Sequence, residues 1–508
     1  MQLRKLAVET SGRLIGDGDI EVTAVEYDSR SVRPGALFVA VPGLTVDGHA
    51  YLGRALENGA QAVAVQADHE AMWRAVLETG GADVLVLPDT RAGLARLAAA
   101  FNRYPARTLR VVGITGTDGK TSLCHLLAHV FNETGHKAGL ISTAECRIGD
   151  LLLPDTGRFT TPESTQVQAM LAEMVGAGCE WAVVEATSHG LALHRVDECE
   201  YDIAVMTTVG LDHLDFHGSA EDYLAAKGLL FEMLDGAADK GVKKTAVLNA
   251  DDAAAQVFAE RTKAQRVTYG IDNAASVSAS EIQADGWGTR FQMTTPRATV
   301  AAYVPRPGRF MVENALAATA AALSGGLPME RIVPAIASWQ GAPGRMELVD
   351  AGQPFSVVVD FAHAPGSLKR VLRLLKDRTR GRVIAVFGCI GERDKDRRPG
   401  MARVAAELAD YTIVTDDNPY SEDRDAVLYD IAKALSDAGK RPGHDFSVVP
   451  DRREAISQAL GMAVDEDAVL LAGKGHEREV HLGDLAYPCD DREVARGVLR
   501  GLGYDGSG

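Results

Sequence analysis

The stretch VVGITGTDGKTSLCHLL, residues 111–127, passes from a β-branched run through a glycine turn into a helical pattern. Leu123, Leu126, Leu127, Val130 and Phe131 recur at helical spacing, so one face of the segment after Lys120 is apolar. A strand, a glycine turn and a helix in that order aim backbone N–H groups and a helix N-terminus at one point, where an anion is stabilised. Gly116, Thr117, Asp118, Gly119, Lys120, Thr121 and Ser122 therefore make a candidate phosphate loop. Lys120 would reach the terminal phosphates of a nucleotide, and the Thr121 hydroxyl would ligate Mg²⁺. The spacing is not the common one, which has a glycine six positions before the lysine. Here that position is Ile114, and the nearest glycines are 113 and 116. Either the Gly-Lys-Thr is coincidental or the loop belongs to a different class of ATP enzyme.

Working outward, β-branched runs alternate with alanine-rich helical patterns along the 508 residues. AVAVQ, VLVLP, RVVGIT, WAVVEA, SVVVDF, VIAVFG, YTIVTD and AVLLAG read as strands, and the alternation predicts α/β domains with largely parallel sheets. Gly- and Pro-bearing stretches suggest cuts near 108 and 342, giving domains 1–108, 109–341 and 342–508. The opening residues lack the apolar run of a signal peptide, and no window approaches a membrane span. Six scattered cysteines without paired spacing argue for reduced thiols in a cytoplasm. A net charge of −17 disfavours nucleic acid as a partner and requires local cations wherever an anionic substrate binds. His125 and His129 lie one turn apart like zinc ligands, but the pattern supplies no glutamate after the first and no third ligand, so metal binding there is not expected.

Downstream, WAVVEATSHGLALHR ends an apolar run at Glu185, a second candidate ligand for the ion held by Thr121. GLDHLDFHGSAEDYLAAKGLLF then carries His213 and Lys227, the lysine on a helical pattern. Alone, each is better read as a strand-end acid, a loop histidine and a surface lysine. Following a phosphate loop in this order, they form a constellation.

GTDGKTS, EATSHGL, DHLDFHGS, RPGRFMVENALAA, GRMELV, VVVDFAHAPGSL and LLAGKGHE resemble, in order, the motifs of the Mur ligases, and the resemblance runs over nearly the whole chain. Residues 28–52, DSRSVRPGALFVAVPGLTVDGHAYL, look like the uridine-binding segment shared by the types that add the third residue and the terminal dipeptide. SHGL and HLDFHG favour the former, the MurE type. The resemblance implies three domains: an N-terminal UDP-substrate domain, a central ATPase domain of phosphate-loop type and a Rossmann-like C-terminal domain. It also implies an ATP-dependent ligase of peptidoglycan synthesis, cytoplasmic and monomeric, acting on UDP-MurNAc-L-Ala-D-Glu and a diamino acid. In that chemistry ATP phosphorylates a carboxylate and an amine displaces phosphate from the acyl phosphate. Neutralising charge matters there more than proton transfer.

By similarity, Lys120 and two Mg²⁺ ions supply that neutralisation. Thr121 and Glu185 hold one ion; His213 helps hold the other with a carbamylated Lys227 (N6-carboxylysine). Asn314, Arg345 and Asp360 contact the nucleotide. Ser29, Thr160, Thr161, Thr187 and Arg195 match positions that grip the UDP-linked substrate, the arginine being able to fork onto a carboxylate or phosphate. Arg393, Asp417, Asn418, Gly473 and Glu477 match positions for the incoming amino acid, and the polar clusters ending four apolar runs in this third of the chain fit ligand binding at strand ends. One position departs. Family members specific for meso-diaminopimelate carry Asp-Asn-Pro-Arg, whereas this sequence has Asp-Asn-Pro-Tyr, with Tyr420. A phenol cannot form a bidentate ion pair with a distal carboxylate, so lysine or ornithine is favoured, with diaminopimelate the alternative. A folylpolyglutamate- or cyanophycin-type ligase would need a different segment at 28–52. A catalytically silent scaffold would be expected to lose Lys120, Glu185, His213 or Lys227.

Overall fold

The computed structural model describes residues 1–43, 46–74, 81–153, 160–210, 212, 214–392 and 395–505. All eight β-branched runs form strands. The chain makes two compact units, one of residues 1–281, 291–302 and 313–337, the other of 282–290, 303–312 and 338–508.

The first unit opens with a five-stranded sheet in the order Arg13–Ile15, Asp83–Leu87, Ala62–Gln66, Ala36–Val39, Ala24–Glu26, with only Arg13–Ile15 antiparallel. Alternate residues of each strand point to opposite faces. Leu37, Val39, Ala62, Ala64, Leu85 and Leu87 fill one core, while Ala36, Phe38, Val63, Val65, Val84 and Val86 fill another. Burial on both faces is why these strands read as continuous apolar runs rather than as alternating ones.

The larger sheet positions the candidate site. Arg110–Thr115 lies between Trp181–Glu185 and Ile203–Met206, parallel to both, with Ala138–Ile141 beyond the former and Thr245–Asn249 and Gln265–Gly270 beyond the latter. Register pairs Ile114 with Glu185 and Thr115 with Met206, so three carboxyl ends finish together. The helix Lys120–Glu133 leaves that edge behind Gly119, which takes a left-handed conformation at the N-cap. Its predicted apolar stripe is fully buried, and the Phe131 ring stacks on Trp181 at 4.3 Å.

The second unit holds a sheet in the order Glu347–Leu348, Ser356–Asp360, Ala468–Ala472, Val383–Phe387, Tyr411–Val414, Phe446–Val448, parallel except for Glu347–Leu348. Val357, Val359, Ile384, Val386, Val469 and Leu471 pack one face. A hairpin of Glu479–Leu482 and Leu485–Pro488 follows. It was not read from the sequence, nor were the strands Val277–Asp285, Gly288–Thr294 and Thr299–Val304. All six cysteines are free and buried. Among the described residues no helix is long and apolar enough to cross a membrane.

Phe131→Ala removes a fully buried ring that stacks on Trp181 of the neighbouring strand. It should destabilise the first unit by about 3–5 kcal/mol, read as a lower urea midpoint for that unit's transition.

Candidate active site

The loop after Thr115 is shaped by close approach. Gly116 has φ +147°, and a Cβ there would overlap the Thr207 hydroxyl, so only glycine fits. The Thr117 N–H donates to the Thr208 carbonyl at 2.6 Å, and the Thr117 hydroxyl lies 2.8 Å from the Tyr223 hydroxyl. Asp118 forms a bridge with Thr208, and Gly119 faces the Asn314 side-chain oxygen. The Lys120 ammonium folds back to donate to the Thr117 carbonyl at 2.9 Å, within the loop it is read to serve. Ser122 is buried behind it.

Glu185 is the hub of this edge. The Thr121 hydroxyl lies 3.1 Å from each of its carboxylate oxygens, and Oε2 also accepts from the Ser142 hydroxyl at 2.5 Å and the Thr143 N–H at 3.0 Å. Its backbone carbonyl faces the other way and accepts from the Thr161 hydroxyl at 3.0 Å. The Thr161 and Thr187 hydroxyls are 3.0 Å apart, and Thr187 caps the helix Ser188–Ala192 by accepting from the Gly190 N–H. Arg195 donates to the Thr161 carbonyl at 3.2 Å. One strand end thus joins the phosphate loop to the residues read for the UDP-linked substrate. Of those, Ser29 is buried with its carbonyl accepting from Asn58, and Thr160 is half-buried beside Thr161.

Lys227, on the helix Ala220–Gly236, is only 1% exposed and donates to the Gly116 carbonyl at 2.6 Å. Its Nζ is 4.4 Å from the centre of the Tyr223 ring. Burial, reinforced by the charge of Lys120, drives its amine well below the usual lysine range, with Asp212, Asp118 and Glu185 opposing the shift. A lysine so placed is biased toward its neutral, nucleophilic form. Beside it His189 stacks on Phe216 at 4.1 Å, and His217 packs edge-on against His189 and Tyr223. These rings were not singled out from the sequence, although SHGL and DFHG contain them. His213 lies outside the described residues.

The second unit gathers the other predicted residues. The Met346 N–H donates to Asp360 at 2.8 Å, and the Arg345 guanidinium lies over the Phe361 ring. Gly344, with φ +62°, approaches the backbone of Gly475 and His476 too closely for any Cβ, which brings GRMELV against GKGHE. The Asn418 side chain donates to Glu477 at 2.9 Å and accepts from Lys474 at 3.0 Å, while Lys474 also donates to Glu477 at 2.6 Å. Lys474 is fully buried at the centre of this triad and was missed, though GKGHE names it. Gly473 packs against the Asp417 carboxylate. Tyr420 takes a left-handed φ of +54°, exchanges backbone hydrogen bonds with His481 and Gly483, and stacks on His481 at 5.5 Å. The unpredicted hairpin thus forms a wall beside it. Arg393 lies outside the described residues; its neighbour Glu392 accepts from the Ser421 N–H.

One further cluster could hold a metal by proximity: Asp47, His49 and His69. Its chemistry argues against that. His49 Nε2 accepts from the Gln66 N–H at 2.9 Å, so Nδ1 carries the proton and donates to Asp47 at 2.6 Å. Both nitrogens are committed.

A phosphate loop at the carboxyl end of a central parallel strand, with a buried acid and a buried amine beside it, places the chain among nucleotide-dependent α/β enzymes. Comparison with known proteins then identifies the family. Residues 21–102 match "Mur ligase family, catalytic domain", residues 114–322 match "Mur ligase middle domain", and residues 344–475 match "Mur ligase, glutamate ligase domain". The chain is 43% identical over 494 residues to a UDP-N-acetylmuramyl-tripeptide synthetase of Roseiflexus sp., covering 96% of each. It is 42% identical over 477 residues to a UDP-N-acetylmuramoyl-L-alanyl-D-glutamate--2,6-diaminopimelate ligase of Bacillus velezensis, covering 94% of each. A solved structure of a ligase of that last name superposes with a TM-score of 0.66 at 28% identity, covering 99% of both chains. The chain belongs to the Mur ligase family and is an ATP-dependent, ADP-forming amide ligase.

Asp417 generates a prediction about pH. It is fully buried, neither carboxylate oxygen has a hydrogen-bond partner among the described residues, and burial pushes its carboxyl up to about 6 against the opposing charge of Lys474. Because the folded value exceeds the unfolded one, ionised Asp417 destabilises the free protein. That penalty is absent below the unfolded value of 3.8, grows as pH rises and is complete above about 6. Asp417→Asn should therefore gain more thermal stability over wild type at pH 7.5 than at pH 4.5, as read by scanning calorimetry.

Proposed function

We propose that this ligase adds a diamino acid to UDP-MurNAc-L-Ala-D-Glu in the cytoplasm, the third-residue step of peptidoglycan precursor synthesis, acting as a monomer. The observation that carries the reading is the shared strand end at Glu185, with the phosphate-loop threonine on its side chain and the UDP-substrate threonines on its carbonyl. The names of the Roseiflexus and Bacillus relatives support the same step. We keep three domains, 1–108, 109–341 and 342–508, a division that the spacing of the three family matches favours.

In this reading the substrate carboxylate attacks the γ-phosphorus of ATP, ADP leaves, and the amine of the incoming amino acid displaces phosphate from the acyl phosphate. Lys120 withdraws from the Thr117 carbonyl to meet the terminal phosphates, and the loop N–H groups hold the rest. Asn314, Arg345 and Asp360 serve the nucleotide. An all-oxygen donor set of Thr121 and Glu185 suits Mg²⁺, and His213 with carbamylated Lys227 would hold a second ion. Bound there, Mg²⁺ would neutralise the phosphate oxygens. Lys227 suits carbamylation because a neutral amine can add CO₂ and become an anionic oxygen ligand, which an ammonium cannot. Thr160, Thr161, Thr187, Ser29 and Arg195 hold the UDP-linked substrate; Arg393, Asp417, Asn418, Gly473 and Glu477 hold the amino acid.

Tyr420 favours a basic diamino acid, lysine or ornithine, because it offers the far end of the side chain a phenol and no fixed charge. The second reading, meso-diaminopimelate, is favoured by the names of the Bacillus relatives. An assay of ADP formation with each diamino acid in turn tests both, with Lys120→Ala as the inactive control. Lysine or ornithine should turn over best, and Tyr420→Arg should shift relative kcat/KM toward diaminopimelate by roughly ten- to a hundredfold, the equivalent of one charge-assisted pair. A strong wild-type preference for diaminopimelate that survives Tyr420→Phe would refute the preference while leaving the ligase intact.

For Lys227→Ala the expectation is a loss of about a hundredfold or more in ADP formation, partly recovered by a short carboxylate such as acetate. Wild-type enzyme depleted of CO₂ should lose activity and regain it with bicarbonate. Full activity of the alanine variant would remove the lysine from the site.

A further inference from the structure

Two arginines converge on one carboxylate beside the residues read for the UDP-linked substrate. Glu163 caps the helix Ser164–Gly176. Its carboxylate lies 2.9 Å from Arg195 Nε and 3.6 Å from Arg91 Nη1. Arg91 comes from the first turn of the helix Thr90–Phe101, where Asp89 fixes the backbone by accepting from the N–H groups of Arg91 and Ala92. The three side chains are 8–19% exposed.

The arrangement is poorly explained as an ion pair alone. Arg91 reaches the Pro42 carbonyl at 3.5 Å, but its Nε and Nη1 are shut off from solvent and make no hydrogen bond among the described residues. Buried donors are normally satisfied, and leaving them unmade carries the full desolvation penalty. The two guanidinium groups repel each other across Glu163, which neutralises only one of them. Within this trio two guanidinium groups thus share one carboxylate. Thr161 accepts from Arg195, Thr187 adjoins Thr161, and the Tyr27 phenol is close enough to feel the charge on Glu163. Hydroxyls beside a fork-shaped cation that has donors to spare suit an anionic oxygen group.

We propose that Arg91 is a second substrate-binding arginine, which pairs with a phosphate or carboxylate of the nucleotide-linked substrate beside Arg195, and that Glu163 is the positioning carboxylate holding both guanidinium groups. This rests on the reading of Thr161, Thr187 and Arg195 as the UDP-substrate site. Steady-state kinetics with UDP-MurNAc-L-Ala-D-Glu varied at saturating ATP and amino acid, and then with ATP varied, tests it. Arg91→Ala should raise KM for the nucleotide-linked substrate on the order of ten- to a hundredfold and move KM for ATP less than about twofold. Arg91→Lys should recover part of the loss, because a point charge replaces a fork. Glu163→Gln should raise the same KM, and Glu163→Asp should recover part of that.

Inhibition by UDP alone separates the two sources of anion. Weaker UDP inhibition in Arg91→Ala assigns Arg91 to the diphosphate; unchanged UDP inhibition with a raised substrate KM assigns it to a carboxylate. An Arg91→Ala protein that folds and keeps the wild-type KM overturns the proposal. If the alanine variant does not fold, an unchanged KM in Arg91→Lys does the same. A wild-type protein that turns over no UDP-linked substrate would instead defeat the functional reading itself. A role limited to holding the helix in place would lower the melting temperature without separating the two KM values.

Discussion

The register of Arg110–Thr115 between its two parallel neighbours is the constraint on which the site depends. Pairing Ile114 with Glu185 and Thr115 with Met206 brings the glycine turn out level with the acid of one neighbour and the Thr207–Thr208 backbone of the other. In a strand buried on both faces, a slip of one residue would exchange every side chain between the two cores. The packing that stabilises the sheet therefore also fixes the position of Glu185 relative to Thr121, Ser142 and Thr161. Hydrogen bonds to Glu185 then hold the edge rigid from three directions.

An acidic protein that handles acidic substrates must place its cations with care. Lys120 lies on the phosphate loop, Arg91 and Arg195 on one carboxylate, and Lys474 between Asn418 and Glu477. In each case the cation is withdrawn from bulk solvent and held by an oxygen of the chain. Withdrawn from water, these charges act more strongly on an anion bound beside them, against a field that, summed over the whole acidic surface, repels it.

Much of this was legible because parallel strands and phosphate loops leave short, dense signals. The eight β-branched runs became strands since helices cover both faces and leave no reason for polar alternation. Lys120 starts its helix, Glu185 ends its strand and Lys227 lies on a helix, as their contexts implied. What escaped was long-range. Lys474 reads as one lysine between two glycines until the fold places Asn418 beside it, 56 residues away in sequence. Arg91 looks like an ordinary helix start, and only the approach of Glu163 gives its guanidinium meaning. The hairpin at 479–488 left a local signal that went unread, an alternating Glu-Val-His-Leu followed by a two-residue Gly483-Asp484 turn; its contact with Tyr420, some sixty residues away, is not written in local pattern.

The six buried thiols, none of them bonded to another, give the molecule a built-in gauge of its own opening. Cys124 faces inward from the helix behind the phosphate loop, Cys199 lies in the core of the first unit, and Cys389 follows a strand end in the second. Burial raises the pKa of all three, so their reactive thiolate forms are scarce while the fold is closed. A thiol-specific reagent then reacts only as fast as each region breathes, and the labelling rate at each site measures the free energy of its local excursion. The native chain thus reports the relative firmness of its two units without an engineered probe.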